Sequence, residues 1–146
     1  MYLTFPVFAA ITWNILQNFT LVEKSCYTIV ANKTQQWCDG NLCSNAYGYN
    51  TYFDPISNCY VSGGTCRSRI ILRHKTAKRL RLICGIKDDD VEESILLDEF
   101  DIGLEKEICV KHSGSLVCYA NDAYTGYWNN QGQIDVSVNV YAYTSL

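Results

Sequence analysis

Apolar and polar residues alternate with a period of two along two neighbouring stretches, residues 66–73 and 79–86. Even-numbered positions form the more apolar side of each stretch: Cys66, Ser68, Ile70 and Leu72, then Leu80, Leu82, Cys84 and Ile86. A period of two predicts strands with one buried face. We therefore expect a β-hairpin whose odd-length loop, for example residues 74–76, sets Cys66 opposite Cys84.

The period changes over residues 88–104, where the spacing of apolar residues is typical of an amphipathic helix. Asp89 is suited to be the N-cap, Glu92 follows three positions later as in a capping box, and the first turn is acidic. Gly103 is a suitable C-terminal stop. The apolar stripe consists of Val91, Ile95, Leu96, Phe100 and Ile102. We expect one helix here.

Two further segments predict strands. Residues 107–119 are typical of a hairpin around Ser113-Gly114, with Cys109 opposite Cys118. Residues 133–143 alternate most regularly, with Ile134, Val136, Val138, Val140 and Ala142 on one side. The pattern as a whole predicts an α+β fold, in which one helix packs on an antiparallel sheet of at least four strands.

The cysteines change this picture most, since an even number in a short chain favours a disulfide-bonded protein of an oxidising compartment. They are Cys26, Cys38, Cys43, Cys59, Cys66, Cys84, Cys109 and Cys118. Their spacing lacks the paired knuckles of a zinc site, so we expect no metal and three or four disulfides. Hairpin register predicts the pairs Cys109–Cys118 and Cys66–Cys84, and leaves the other four cysteines to pair among themselves.

The N-terminal segment is uncharged and mostly apolar up to about residue 13. We interpret residues 1–20 as a signal peptide cleaved near residues 16–22, which leaves one secreted disulfide-rich domain over residues 21–146. The alternative is a buried first strand of the mature fold. No apolar run approaches the length of a membrane span. Asn32, in the sequon Asn32-Lys33-Thr34, is a candidate glycosylation site, whereas the sequon that begins at Asn18 would leave with the leader.

Charge is segregated along the chain, although the formal net charge is only −3. Residues 67–87 hold eight of the 12 Lys and Arg, and residues 88–107 hold ten of the 15 acids. A candidate basic face consists of Arg67, Arg69, Arg73, Arg79 and Arg81. Either this face binds an external anionic ligand, or the acidic segment neutralises it. Nucleic acid is disfavoured as a ligand because no aromatic residues interleave with these arginines.

No catalytic or cofactor motif is present, so we expect no enzyme activity and no cofactor. A ribonuclease that uses His74 and His112 as an acid–base pair is one alternative, although both histidines fall at expected turns. Aromatic clusters at residues 47–53 and 124–128 have three interpretations: stacking on sugars, a protein interface, or cover for a thin core.

Length, a leader, eight cysteines, abundant Tyr and Asn, and the lack of an enzyme motif together resemble the small secreted cysteine-rich effectors of plant-pathogenic fungi. The expected hairpins, single helix and bridges are similar to the Leptosphaeria avirulence and suppressor family. The resemblance implies a monomeric, non-enzymatic virulence protein that contacts host proteins and is recognised by host immune receptors, inside or outside host cells. A secreted toxin or antimicrobial protein is the alternative.

Overall fold

Strands dominate the computed structural model, which describes residues 1–49, 51–54, 56–57, 59–62, 65–68, 72–88, 96–140 and 143–144, with the backbone alone at 51–53, 60, 62, 65–68 and 143–144. The strands are β1 (Tyr2–Phe8), β2 (Asn14–Leu21), β3 (Ser25–Ala31), β4 (Trp37–Asp39), β5 (Leu42–Ser44), β6 (Thr51–Asp54), β7 (Cys59–Ser62), β8 (Thr65–Ser68), β9 (Leu82–Lys87), β10 (Leu97–Asp101), β11 (Glu105–Cys109), β12 (Gly114–Ala120), β13 (Asn130–Asn139) and β14 (Tyr143–Thr144). A 3₁₀ turn covers Tyr124–Asn129.

The described strands form three antiparallel sheets. A seven-stranded sheet has the order β11-β3-β13-β4-β5, with β1 also paired to β13 and β14 to β3. A four-stranded sheet has the order β10-β9-β12-β2, and β6, β7 and β8 form a small meander. The strand predicted over residues 133–143 is confirmed as far as Asn139, the end of β13. Its inward residues Ile134, Val136 and Val138 are fully buried, as the alternation requires.

The seven-stranded and four-stranded sheets share one hydrophobic core, as in a β-sandwich. The first sheet contributes side chains such as Phe5, Val7, Ile29, Ile134 and Val136. The second contributes Leu16, Leu82, Ile86, Leu116 and the buried Cys84 and Cys118. On the outer face of the four-stranded sheet, Ile83 and Tyr119 are covered by Ala77 and Leu96. Both faces of β9 are therefore buried.

The helix expected over residues 88–104 is wrong, and so is the α+β fold class. The described residues contain no helix of seven or more residues, and Leu97–Asp101 is strand β10. A register shift between Leu97 and Phe100, with Asp98 at φ 43°, sets both apolar side chains against the core although they stand three positions apart. The predicted stripe placed Leu96 on one face with Phe100, but Leu96 packs against the outer cluster of Ile83 and Tyr119 while Phe100 packs against the shared core. Asp89, Val91, Glu92 and Ile95 lie outside the described residues.

Gly103 does not end a helix, as expected from the sequence, but follows strand β10. It has φ +66° in the turn to β11, and a Cβ atom there would lie 2.6 Å from Nη2 of Arg81. Both the left-handed backbone and the close arginine therefore favour glycine at this turn.

Both expected hairpins are also wrong. β9 pairs with β10 and β12, and β8 pairs with β7. β11 pairs with β3, while β12 lies between β9 and β2. Alternation identified the strand at 82–86 correctly, and the second expected hairpin placed strands where β11 and β12 lie. In both hairpins the pairing was inferred from neighbours along the chain. Alternation carries no information about which strand lies alongside.

The disulfides follow the true strand pairs. Cys26 is bonded to Cys109, Cys84 to Cys118, and Cys38 to Cys43. The predicted pairs Cys109–Cys118 and Cys66–Cys84 are therefore wrong, and Cys26 does not pair within the N-terminal group. Cys59 is disulfide-bonded as well, while the side chain of Cys66 lies outside the described residues.

The predicted leader corresponds to β1 and most of β2 in this fold. β1 pairs with β13 over seven residues, and its Phe5 and Val7 are buried in the shared core. The contacts are those of the alternative interpretation, a buried first strand. Cleavage near residues 16–22 stays a prediction. No helix in the described part of the chain is long and apolar enough to cross a membrane.

Candidate functional site

Two large aromatic side chains stand exposed on the 3₁₀ turn between β12 and β13. Trp128 is 84% exposed and Tyr124 is 66% exposed, although Tyr127, between them in sequence, is only 4% exposed. We call Tyr124 and Trp128 the aromatic platform. Trp is normally among the more buried residue types on average, so this exposure marks a candidate contact surface.

The turn beneath the platform is fixed by hydrogen bonds at both ends. The Tyr127 hydroxyl donates to the carbonyl oxygen of Ala120 at 2.6 Å, and Gly126 N donates to Ala123 O at 2.8 Å. The Ala123 N–H donates to Oδ1 of Asp122 at 2.7 Å, and the Asn130 N–H to Tyr127 O. Because these bonds hold the backbone, the exposed rings are presented from a rigid support.

A buried polar cluster lies behind the turn and consists of Asp39, Arg79, Asp122, Asn129 and Asn130. Asp39, Asp122 and Asn130 are each at most 6% exposed. Arg79 bonds the Asp39 carboxylate through Nη2, and its Nε lies 3.8 Å from Oδ1 of Asp122. Asn130 Nδ2 donates to the carbonyl of Ala9 at 3.0 Å. The cluster thus joins the turn to β4 and to the loop after β1.

Two carboxylates, those of Asp39 and Asp122, share the single guanidinium of Arg79 in this cluster. The excess of negative charge affects the pKa of Asp122. Burial raises the pKa of Asp122 above its ordinary value, and the nearby charge of Asp39 acts in the same direction. The described residues include no group of three or more His, Cys, Asp or Glu that could hold a metal ion. Arg79 is the cation that the two carboxylates bind.

Arg73 connects the platform to the neighbouring loop. Its Cζ lies 3.6 Å from the ring centroid of Tyr119, 5.3 Å from that of Tyr124 and 5.7 Å from that of Trp13. Nη1 donates to the carbonyl of Thr12. Cation–π contacts of this kind fix Tyr124 at the edge of the turn. Burial, followed by the charge of Glu99, raises the pKa of Tyr119, whose hydroxyl donates to Glu99 Oε1 at 2.8 Å.

Three arginines of the candidate basic face have acidic or aromatic partners in the described part of the chain. Arg73 and Arg79 have the contacts given above, and Arg81 pairs with Asp101 while its Cζ lies 4.9 Å from the ring centroid of Tyr47. The Arg67 side chain and all of Arg69 lie outside the described residues. Asp101 belongs to the expected acidic segment, whereas Asp39 and Asp122 lie outside it. Binding of an external anionic ligand by the basic face stays a prediction.

The two histidines lie in separate local structures. Nδ1 of His74 accepts a hydrogen bond from the Ala77 N–H at 3.1 Å. His112 is exposed, and its Nδ1 lies 3.2 Å from Oδ1 of Asp98. The contacts found for the described residues do not join the two rings. The arrangement gives no support to an acid–base pair.

An apolar groove runs along β1 and β2, beside the platform. It has a volume of about 380 Å³, and its lining includes Phe8, Ile11, Trp13 and Gln17. Trp13 belongs both to this groove and to the ring of aromatics around Arg73. A ligand on the platform would therefore have apolar surface available next to it.

Sequence analysis named the aromatic cluster at 124–128 but missed the polar residues that support it. Asp122 stands two positions before this cluster, and Asn129-Asn130 immediately follows it. This flanking arrangement was the available signal. Asp39 gave none, because it reaches the site only through the pairing of β4 with β13.

The comparisons with known proteins identify a fold and no family. No protein-family model matches the chain, and no curated protein matches its sequence. Among solved structures it is similar to one described as "EclA N-terminal domain; PllA-like lectin", with a TM-score of 0.55 and 16% identity over 92% of each chain. The chain therefore shares the fold of that solved structure. Its three described disulfides fit a small secreted protein.

Proposed function

We propose that this protein is a secreted, non-enzymatic carbohydrate-binding protein and that the aromatic platform is its binding surface. The exposure of Trp128 and Tyr124 on a hydrogen-bonded turn is the observation that carries the proposal. Sugar rings have apolar faces of C–H groups that stack on Trp and Tyr, whose rings are large and amphipathic. The lectin-like fold of the similar structure supports the same ligand class.

The support beneath the platform favours binding over catalysis. Polar groups of the cluster are turned inward, where Asp122 and Asn130 are buried and hold backbone segments together. Rigid presentation lowers the entropy that a binding surface loses when a ligand orders it. The polar cluster thus serves to pre-organise the exposed rings.

The effector function expected from the sequence is one biological use of such a surface. We propose that contact with a host is made through glycans that host glycoproteins carry. Direct contact with a host protein and activity as a secreted toxin are the competing hypotheses.

The test is a glycan array followed by titration calorimetry with the sugar that binds. We expect Trp128→Ala and Tyr124→Ala each to weaken binding by at least about tenfold, which corresponds to about 1.4 kcal/mol. Tyr2→Ala is the matched control. Tyr2 is 49% exposed and lies opposite Asn139, so that the length of β13, about 30 Å, separates it from the turn.

Four results would contradict the proposal. If no glycan on the array is bound, carbohydrate is excluded as the ligand. If Tyr2→Ala weakens binding as much as the platform variants do, the aromatic platform is excluded as the binding site. Capture of a deglycosylated host protein at undiminished affinity would favour direct protein contact. RNA cleavage that is abolished by His74→Ala or His112→Ala would instead show the ribonuclease alternative.

A further inference from the structure

The turn between β3 and β4 exposes a complete sequon. Asn32, Lys33 and Thr34 are all exposed, and neither Lys33 nor the following Gln35 is a proline. We infer that Asn32 is an N-glycosylation site, which receives its glycan from a lipid-linked oligosaccharide donor of the secretory pathway. This inference concerns a covalent modification and does not depend on the proposed sugar-binding function.

The Asn32 side chain is held with its nitrogen available. Its Oδ1 accepts hydrogen bonds from the Thr34 N–H at 3.0 Å and from the Thr34 hydroxyl at 2.9 Å. Among the contacts of the described residues, Nδ2 of Asn32 makes none. The sequon threonine therefore occupies the carbonyl side of the amide and leaves the nitrogen directed away from the turn.

The rest of the loop keeps this turn in place on the outside of the sandwich. The Asn32 N–H donates to Asp135 O at 2.9 Å. Gln35 exchanges two hydrogen bonds with Asp135 of β13, at 3.0 and 2.6 Å. Because these anchors use the backbone of Asn32 and the side chain of Gln35, a glycan on Asn32 would break none of them.

The reaction transfers an oligosaccharide from a polyprenyl pyrophosphate. Nδ2 of Asn32 forms a bond to C1 of the first sugar while the bond from C1 to the pyrophosphate oxygen breaks. The lipid pyrophosphate leaves with the electron pair of that bond, and Nδ2 releases one proton. No oxidant or reductant is required.

The second sequon, Asn18-Phe19-Thr20, lies in a strand and not in a turn. Asn18 belongs to β2 and has φ 61°, and Phe19, its neighbour, packs edge-on against Tyr27 with ring centroids 6.1 Å apart. Thr20 is paired with Ser115 of β12. Asn18 is exposed, and among the contacts of the described residues no threonine hydroxyl bonds its amide, so it provides the matched comparison.

The experiment is secretion of the full chain from a yeast or insect cell, followed by treatment with an amidase that removes N-glycans. We expect one loss of mass and conversion of Asn32 to Asp in the peptide map. Asn32→Gln and Thr34→Ala should abolish the loss of mass, whereas Thr34→Ser and Asn18→Gln should retain it.

A secreted wild-type protein without glycan would overturn the inference. So would a glycan that persists in Asn32→Gln and disappears in Asn18→Gln. To separate failure of modification from failure of secretion, the same variants are expressed behind a heterologous leader. An unmodified Asn32 in that secreted product also counts against the inference. Sugar binding by unglycosylated protein from bacteria is measured separately, so neither result decides the other.

Discussion

Arg73 shows how much of this site depends on one side chain. It lies within cation–π distance of Trp13, Tyr119 and Tyr124 and bonds the carbonyl of Thr12. These partners come from the loop after β1, from β12 and from the 3₁₀ turn. A planar guanidinium can stack on rings and donate in its plane at the same time, which an ammonium group cannot do.

We therefore expect Arg73→Lys to lower the free energy of unfolding by about 1–2 kcal/mol, although the charge is kept. Urea unfolding measures the change. Lys75→Arg is the control, because Lys75 is exposed in the same segment. Equal stability of Arg73→Lys and wild type would mean that charge alone, and not stacking, holds the segment.

The raised pKa of Asp122 predicts that the contribution of this residue to stability decreases as pH rises. Its pKa is raised in the fold above 3.8, so the folded protein holds this proton more tightly than the unfolded chain. Its contribution to stability is therefore largest at low pH, falls as pH rises from about 3.8 through the raised pKa, and is constant above that.

Asp122→Asn removes the ionisation while keeping the shape. We expect the stability of wild type relative to Asp122→Asn to fall with rising pH over that window. Urea unfolding of both proteins from about pH 3.5 to about pH 8 measures it. A difference that stays constant, or that rises with pH, would contradict the burial of an ionisable Asp122.

At the scale of elements, sequence patterns identified the inward and outward faces of a strand better than they identified the strands with which it pairs. The faces of β13 were predicted from Ile134, Val136 and Val138, because alternation depends on each strand alone. Pairing depends on the whole chain, and here β9 pairs with β12 across a sequence separation of 34 at Cys84–Cys118. The helix was predicted from a stripe that placed Leu96 and Phe100 on one face, whereas in the fold these two side chains pack against different clusters.

The disulfides should differ in strength according to the loops that they close. Cys26 and Cys109 are 83 residues apart, whereas Cys38 and Cys43 are only five apart. From loop-closure entropy, replacing Cys26 and Cys109 by Ala should cost about 4–5 kcal/mol, and replacing Cys38 and Cys43 about 2 kcal/mol. Denaturant unfolding of the two double variants compares them. The reverse order would mean that strain or packing, and not chain entropy, dominates.

Strand β1 allows a test of the expected leader. If β1 remains in the mature protein, Val7→Ala should cost about 2 kcal/mol, because Val7 is fully buried. Thr4→Ala, on the exposed side of β1, should cost less than about 1 kcal/mol. N-terminal sequencing of the secreted protein accompanies the measurement. Stability unaffected by Val7→Ala, together with a start near residue 21, would show that the leader prediction is right.

At the scale of the whole molecule, composition predicted the cysteine scaffold but not the architecture. Eight cysteines and the lack of motifs limited the class of protein, while the β-sandwich became apparent only from the arrangement of the sheets. The aromatic half of the site could be predicted from the sequence, but its polar half could not, because the polar half is assembled by tertiary structure. Trp128 and Tyr124 stand in a visible cluster, whereas Asp39 joins Asp122 through tertiary structure alone.

The pairing of β1 with β13 has a consequence for synthesis. Tyr2 lies opposite Asn139, so β1 can pair with β13 only after the strands between them, β2 to β12, have been made. Contacts between distant parts of a chain form slowly, and an unpaired apolar strand is prone to aggregate in the interval. During translation β1 is therefore an apolar segment that waits for its partner strand and is available to chaperones.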